Sequence, residues 1–97
     1  MNDFLARQVS VLRYAVSDYR NGNLSLNALV GRIEGISAAV CLAEWTRAMD
    51  TVILTLEQIN ASTLESKRPL SQGERELIEQ TMEKIEMFLQ GFSSNRP

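Results

Sequence analysis

The sequence is short of the residues on which most catalytic and metal sites depend. It has no histidine and a single cysteine, Cys41, among 97 residues. The usual zinc sites and the histidine-based acid–base and nucleophilic mechanisms are therefore excluded. An intramolecular disulfide is also excluded, which favours a reducing compartment such as the cytoplasm. We expect a protein that is not an enzyme and that needs no cofactor or metal.

Long apolar runs and a strong net charge are missing as well. No apolar run approaches the roughly 20 residues of a membrane span. The N-terminal residues MNDFLAR have no basic leader before an apolar core, so we expect no signal peptide. The formal net charge is −2, from 12 acidic and 10 basic residues. Nucleic-acid binding usually needs a basic surface. We therefore expect neither membrane nor nucleic acid as a partner, and the mild acidity suits a basic protein better.

Apolar residues recur with helical periodicity along most of the chain. The longest stripe steps by three and four through Leu42, Trp45, Met49, Val52, Leu56 and Ile59. Ile53 and Leu54 widen that face, so this helix should contact neighbours on more than one side, with Trp45 in the core. Similar stripes predict helices over residues 3–20, 25–36, 40–61 and 71–90. Their short connections predict one all-α domain over residues 1–97, a single antiparallel four-helix bundle.

Capping residues mark the helix ends. Asn21-Gly22-Asn23 should end the first helix, and Ser25 should cap the second. Ser71 with Glu74 forms a capping box for the last helix. We expect a break near residues 36–42 and a loop over residues 62–70. The remaining predicted boundaries are Asp3 and Ser37 as N-caps, Gly91 as a C-cap, and a frayed end over residues 93–97.

Two features of the second helix and its end suggest packing. Gly31 and Gly35 lie four residues apart, each at a cost of about 1 kcal/mol in helix propensity relative to Ala. We expect that a neighbouring helix approaches closely there and offsets this cost. Cys41 stands among Ala and Val residues, so we expect a buried and unreactive thiol.

Glutamates recur on the last helix at steps of three and four, so they form a line. The line consists of Glu76, Glu79, Glu83 and Glu86. A carboxylate metal site in a bundle would need Glu-x-x-His motifs, which are missing. A solvated helix face and a docking strip for a basic partner remain as interpretations. Met87 lies off the core stripe and could join such a surface. The other candidate partner-binding residues are Tyr14 and Asp18 on the first helix, and Asp50 and Glu57 on the third.

Parts of the chain resemble a known family. The runs YRNGNLSLNALVGRIEGI, EWTRAM and LTLEQINA resemble small immunity proteins of bacterial polymorphic-toxin and contact-dependent growth inhibition systems. The matching residues are Gly22, Leu24, Ser25, Leu26, Leu29, Val30, Trp45, Leu56 and Glu57. Met49 and Ile53 depart from the pattern, because aromatic residues are usual there. The resemblance covers about residues 14–90, mostly at helix-packing positions.

The resemblance implies an all-helical cytoplasmic protein that binds and neutralises one cognate toxin domain. It carries over no toxin-contacting residue, because such proteins diverge together with their toxins. Toxin domains of this kind are often basic nucleases, which an acidic partner would meet faster. The alternative is a non-enzymatic adaptor or structural bundle that self-associates or binds another protein helix.

Overall fold

The chain folds into four helices. The computed structural model describes residues 3–94, with the side chains of residues 3–92. The helices are α1 (Asp3–Arg20), α2 (Leu26–Val40), α3 (Ala43–Ser66) and α4 (Gln72–Ser94). No strand occurs within residues 3–94.

Each helix packs against its neighbours in the chain, and α4 closes the bundle by packing against α1. Successive helices are antiparallel. Asn60, near the end of α3, donates to Asn27 at the start of α2 over 3.0 Å. Trp45, at the start of α3, lies against Phe92 near the end of α4. These contacts confirm the predicted antiparallel four-helix bundle.

The core is built from the predicted apolar stripes, with Trp45 at its centre. The Trp45 ring is fully buried and meets Phe88 and Phe92 edge-on, at centroid separations of 5.7 and 5.4 Å. Its indole Nε1 donates to the Ser37 hydroxyl over 3.2 Å, so the one polar atom of the ring is satisfied. The core role predicted for Trp45 is confirmed.

Three predicted caps are formed. Gly22 has a left-handed φ of 79°, and the amides of Gly22 and Asn23 donate to the carbonyls of Tyr19 and Asp18. This is the Schellman pattern of hydrogen bonds. The Ser25 hydroxyl accepts from the backbone N–H of Ala28 over 3.1 Å, which caps α2.

The capping box at the start of α4 is confirmed too. The Glu74 amide donates to the Ser71 hydroxyl over 3.1 Å, and the Ser71 amide donates to the Glu74 carboxylate over 2.9 Å. Arg68 holds the same carboxylate with two bonds of 2.7 and 3.0 Å. These contacts, the Arg68 hydrogen bond foremost, lower the pKa of Glu74 to about 2. Asp3 lies in the first turn of α1, where its charge suits the helix dipole.

The break between α2 and α3 falls within the predicted residues 36–42, but the predicted cap at Ser37 is wrong. The second helix continues past Ser37 to Val40, and Ser37 bonds Trp45 instead of capping α3. The turn falls at Cys41, which adopts a left-handed φ of 53° and donates its amide to the Ser37 carbonyl. Leu42, the N-cap of α3, makes no capping bond with its side chain. Neither Cys41 nor Leu42 is a usual capping residue, so the sequence carried no capping signal there.

The other two revised boundaries lengthen helices. The loop between α3 and α4 is shorter than the predicted residues 62–70. The third helix continues to Ser66, and Lys67, with a φ of 51°, is its C-cap. Thr63 fits inside the helix by donating its hydroxyl to the carbonyls of Ile59 and Asn60. The fourth helix passes through Gly91 to Ser94, so Gly91 is not its cap. The predicted fraying is thus wrong at residues 93–94 and otherwise falls on residues 95–97, outside the described residues.

The two glycines of α2 are not packing contacts. Both are exposed, and a Cβ built on either would meet no heavy atom of a neighbouring element within 4 Å. The expectation that a helix of this chain approaches them closely is therefore wrong.

Replacing these glycines should stabilise the protein. We expect Gly31→Ala and Gly35→Ala each to raise the free energy of unfolding by about 0.8–1 kcal/mol, since each adds helix propensity in open space. Urea unfolding followed by circular dichroism measures the change. A lower stability of either variant would mean that its methyl group meets a neighbour after all.

Cys41 is free and exposed, so the prediction of a buried thiol is wrong. Its side chain points outward because the chain turns at this residue with a left-handed backbone. We expect a thiol reagent such as DTNB to modify Cys41 completely in the native protein, at a rate close to that in denaturant. Protection of about tenfold or more in the native state would contradict the exposed position.

Candidate functional site

The glutamate line of α4 divides into two pairs with different surroundings. Glu79 and Glu86 lean toward α1, where Arg20 reaches both of them. The guanidinium donates from Nη2 and Nε to Glu79 over 2.6 and 3.3 Å. Its Nη1 lies 2.8 Å from the Glu86 carboxylate. One arginine of α1 therefore binds two carboxylates of α4.

This contact gives Glu79 and Glu86 a role within the fold. The hydrogen bond to Glu79 is the main cause that raises the pKa of Arg20. The two glutamate side chains remain about half exposed, so each ion pair contributes modestly, about 0.2–1 kcal/mol.

Glu76 and Glu83 lie on the outward crest of α4. With Gln80 and Met87 they step by four, three and four, and we call these four residues the α4 crest. All four are exposed, and Met87 is 72% exposed. Glu76 accepts one hydrogen bond of 3.1 Å from Gln72. In the described part of the chain, no lysine or arginine forms an ion pair with Glu76 or Glu83. The crest therefore presents two uncompensated charges beside an apolar side chain.

The candidates on α1 and α3 do not join the α4 crest. Tyr14 is 71% exposed and lines a hollow of about 360 Å³ on α1, while Asp18 is half-buried one turn further on. Asp50 and Glu57 are exposed on one side of α3, two turns apart. The structure thus distributes the predicted partner-binding residues over three helices. They do not form one site.

A second carboxylate, which the periodicity of the sequence did not reveal, lies beside Glu57. Glu34 of α2 lies within hydrogen-bonding distance across the α2–α3 contact, and this hydrogen bond is the main cause that raises the pKa of Glu57. Periodicity places each glutamate on a side of its own helix. It does not show that the two sides meet, because register between helices depends on the whole core.

Two leucines of α3 are exposed, and one of them, Leu54, was expected to widen the core face. Leu54 is 57% exposed and Leu64 is 63% exposed, so Leu54 does not widen the core face. Ile53 does pack against the core, half-buried. A signal was available in the sequence, because Asp50, Leu54, Glu57, Ala61 and Leu64 step by four, three, four and three. Two large apolar residues at this spacing indicate a second stripe on the helix.

A hollow of about 770 Å³ opens at the end of the bundle where α1 ends and α4 begins. Tyr19, Arg20, Arg75 and Glu79 supply its polar groups. Burial raises the pKa of the Tyr19 phenol, Arg75 lowers it to a smaller extent, and Glu79 raises it. The hollow therefore combines both signs of charge, and Glu79 within it is already bound to Arg20.

Within residues 3–94, no group of three or more aspartate, glutamate or cysteine side chains is arranged to hold a metal ion. In the same part of the chain, every buried side-chain polar atom has a hydrogen-bond partner. None of the described helices has the length and apolar character needed to cross a membrane. Compared with known proteins, the chain matches no protein-family model, no curated protein and no solved structure.

Proposed function

We propose that this protein is a non-enzymatic cytoplasmic immunity protein that binds a cognate bacterial toxin domain and neutralises it by occupying its surface. The toxin domain is basic and of the nuclease type. The α4 crest is the observation that carries this proposal. Glu76 and Glu83 face outward beside the exposed Met87, and no cation of the described chain pairs with either carboxylate. A basic protein surface would supply the missing counter-charges and an apolar contact for the methionine.

The distribution of charge along the chain supports the same partner. Residues 42–97 contain nine acidic and six basic residues, whereas residues 1–41 contain three acidic and four basic ones. Negative charge is therefore concentrated on α3 and α4. Such an asymmetric surface orients a basic partner as it approaches and raises the association rate.

Co-expression tests the proposal directly. The protein encoded beside this chain would be produced with and without it in a bacterial host, and growth and co-purification would be recorded. We expect the neighbouring protein to be toxic alone, and we expect this chain to restore growth and to form a stable complex with it. Restored growth without complex formation would contradict neutralisation by binding, and a harmless neighbour would remove the support for an immunity role.

The exposed leucines of α3 favour an adaptor bundle that binds another protein helix as a second function. Leu54 and Leu64 are more than half exposed on one side of α3. An adaptor of this kind would co-purify with a partner that is not toxic, which distinguishes it from an immunity protein. A bundle that self-associates would instead show a concentration-dependent mass in sedimentation equilibrium.

A further inference from the structure

The outer surface between α2 and α3 has the features of a groove for a helix. Its residues are Gly31, Glu34 and Ala38 on α2, and Leu54, Glu57 and Leu64 on α3, and we call it the α2–α3 groove. All six are exposed. Glu34 and Glu57 meet across the helix contact, and residues three or four positions away lie on the same side of each helix. The two rows therefore run side by side in opposite directions.

The α2 side of the groove carries only small side chains at two of its three positions. Gly31 has no side chain, Ala38 has a single methyl group, and a Cβ added at Gly31 would meet nothing within 4 Å. Leu54 and Leu64 stand higher on the α3 side and are 57% and 63% exposed. Small residues beside large apolar side chains let a second helix approach closely and bury its own apolar face.

Charge identifies the kind of helix. Glu34 and Glu57 face each other in the middle of the groove, and no lysine or arginine of the described residues forms an ion pair with either of them. The hydrogen bond to Glu34 is the main cause that raises the pKa of Glu57, and the negative charge of Glu34 raises it further. When both carboxylates are ionised, they repel each other. A cation placed between them would remove the repulsion, whereas an acidic helix would add to it.

We propose that the α2–α3 groove docks a basic amphipathic helix of a partner protein. A lysine or arginine of that helix pairs with Glu34 and Glu57, and its apolar residues pack against Leu54 and Leu64. The inference deepens the proposed function and rests on it in taking the ligand to be a protein.

A peptide titration tests the groove without the toxin. The probe is a synthetic helical peptide of about 20 residues, with leucines about 15 Å apart on one face, matching the ten-residue separation of Leu54 and Leu64. Lysines lie between the leucines. We expect this peptide to shift the amide resonances of Gly31, Leu54 and Glu57 in the ¹⁵N-labelled full chain. A peptide with glutamate in place of each lysine should bind at least about tenfold more weakly.

Two matched glycine variants locate the binding. Gly31→Phe fills the floor of the groove and should weaken peptide binding at least about tenfold. Gly73→Phe adds the same side chain at another exposed glycine with nothing within 4 Å, on α4, and should leave binding unchanged. The double variant Glu34→Gln/Glu57→Gln should weaken binding and reduce its salt dependence, and it keeps the test valid if Gly31→Phe folds poorly.

Several results would contradict the proposal that the α2–α3 groove binds a basic helix. They are equal binding of the basic and acidic peptides, shifts confined to the α4 crest, equal affinity of the two glycine variants, and no shifts up to millimolar peptide. These outcomes are separate from failure of the proposed function. If the peptide binds in the groove and the bundle nevertheless neutralises no toxin, the proposed immunity role is wrong and the proposed helix-binding groove is supported. If the bundle neutralises a toxin and the peptide does not bind, only the proposed helix-binding role of the groove is wrong.

Discussion

Trp45→Ala is expected to lower the free energy of unfolding by about 3–5 kcal/mol, the range for truncating a large buried aromatic residue. Trp45 is fully buried, and its loss removes edge-on contacts with Phe88 and Phe92. Those two residues belong to α4, so the cavity would open at the contact between α3 and α4. Native domains have only about 5–15 kcal/mol of stability, so the variant should unfold at much lower denaturant concentration. Urea unfolding followed by far-ultraviolet circular dichroism gives the value.

Ser37→Ala separates the indole hydrogen bond from the packing of the ring. Ser37 accepts from Trp45 Nε1 over 3.2 Å, and its removal leaves a buried donor without a partner. We expect the free energy of unfolding to fall by about 1–3 kcal/mol, less than for Trp45→Ala.

The Trp45→Ala prediction has its own contrary outcome. A fall in the free energy of unfolding below about 1 kcal/mol, together with loss of partner binding, would show that Trp45 acts at an interface.

The sequence was sufficient for the fold because the signals that set it are local. Apolar residues at steps of three and four define which side of each helix is buried, and this spacing placed Trp45 in the core. Side chains close to a helix end likewise predicted the caps at Gly22, Ser25 and Ser71. These signals act over a few residues, so a single sequence contains them in full.

Helix ends without a capping residue were predicted poorly. Both Cys41 and Lys67 adopt the left-handed backbone that Gly or Asn usually takes, at φ of 53° and 51°. The bundle imposes these turns, because each helix must reverse where its partner ends. Local propensity opposes a left-handed Cys or Lys. The turns lie inside the predicted break and loop, but the predicted ends of α2 and α3, at residues 36 and 61, fall before the observed ends at Val40 and Ser66.

The candidate surface depends on contacts between distant residues, which periodicity does not reveal. Arg20 and Glu79 are 59 residues apart in the chain and form an ion pair of 2.6 Å. Glu34 and Glu57 meet in the same way across α2 and α3. Spacing by three and four residues made the four glutamates of α4 look alike in the sequence. Their neighbours on α1 divide them into a pair bound within the fold and a pair that faces solvent.

That division predicts opposite results for two double variants of α4. We expect Glu76→Gln/Glu83→Gln to slow association with the proposed basic partner by about tenfold at low salt, with the free energy of unfolding unchanged. We expect Glu79→Gln/Glu86→Gln to change the association rate by less than about twofold. The second variant should instead lose about 0.2–1 kcal/mol of stability for each broken ion pair with Arg20.

Stopped-flow association at two salt concentrations, beside urea unfolding of each variant, measures both effects. Each variant removes two carboxylates and keeps the size of the side chains, so the change in net charge is the same in both. A difference in association rate therefore reports position, because Glu76 and Glu83 reach solvent without a cation of the described chain beside them. The difference should fade as salt rises, since charges are screened beyond about 8 Å at physiological ionic strength. Equal slowing by both variants would mean that association with the proposed partner depends only on net charge. No slowing by either would mean that the α4 crest is a solvated face.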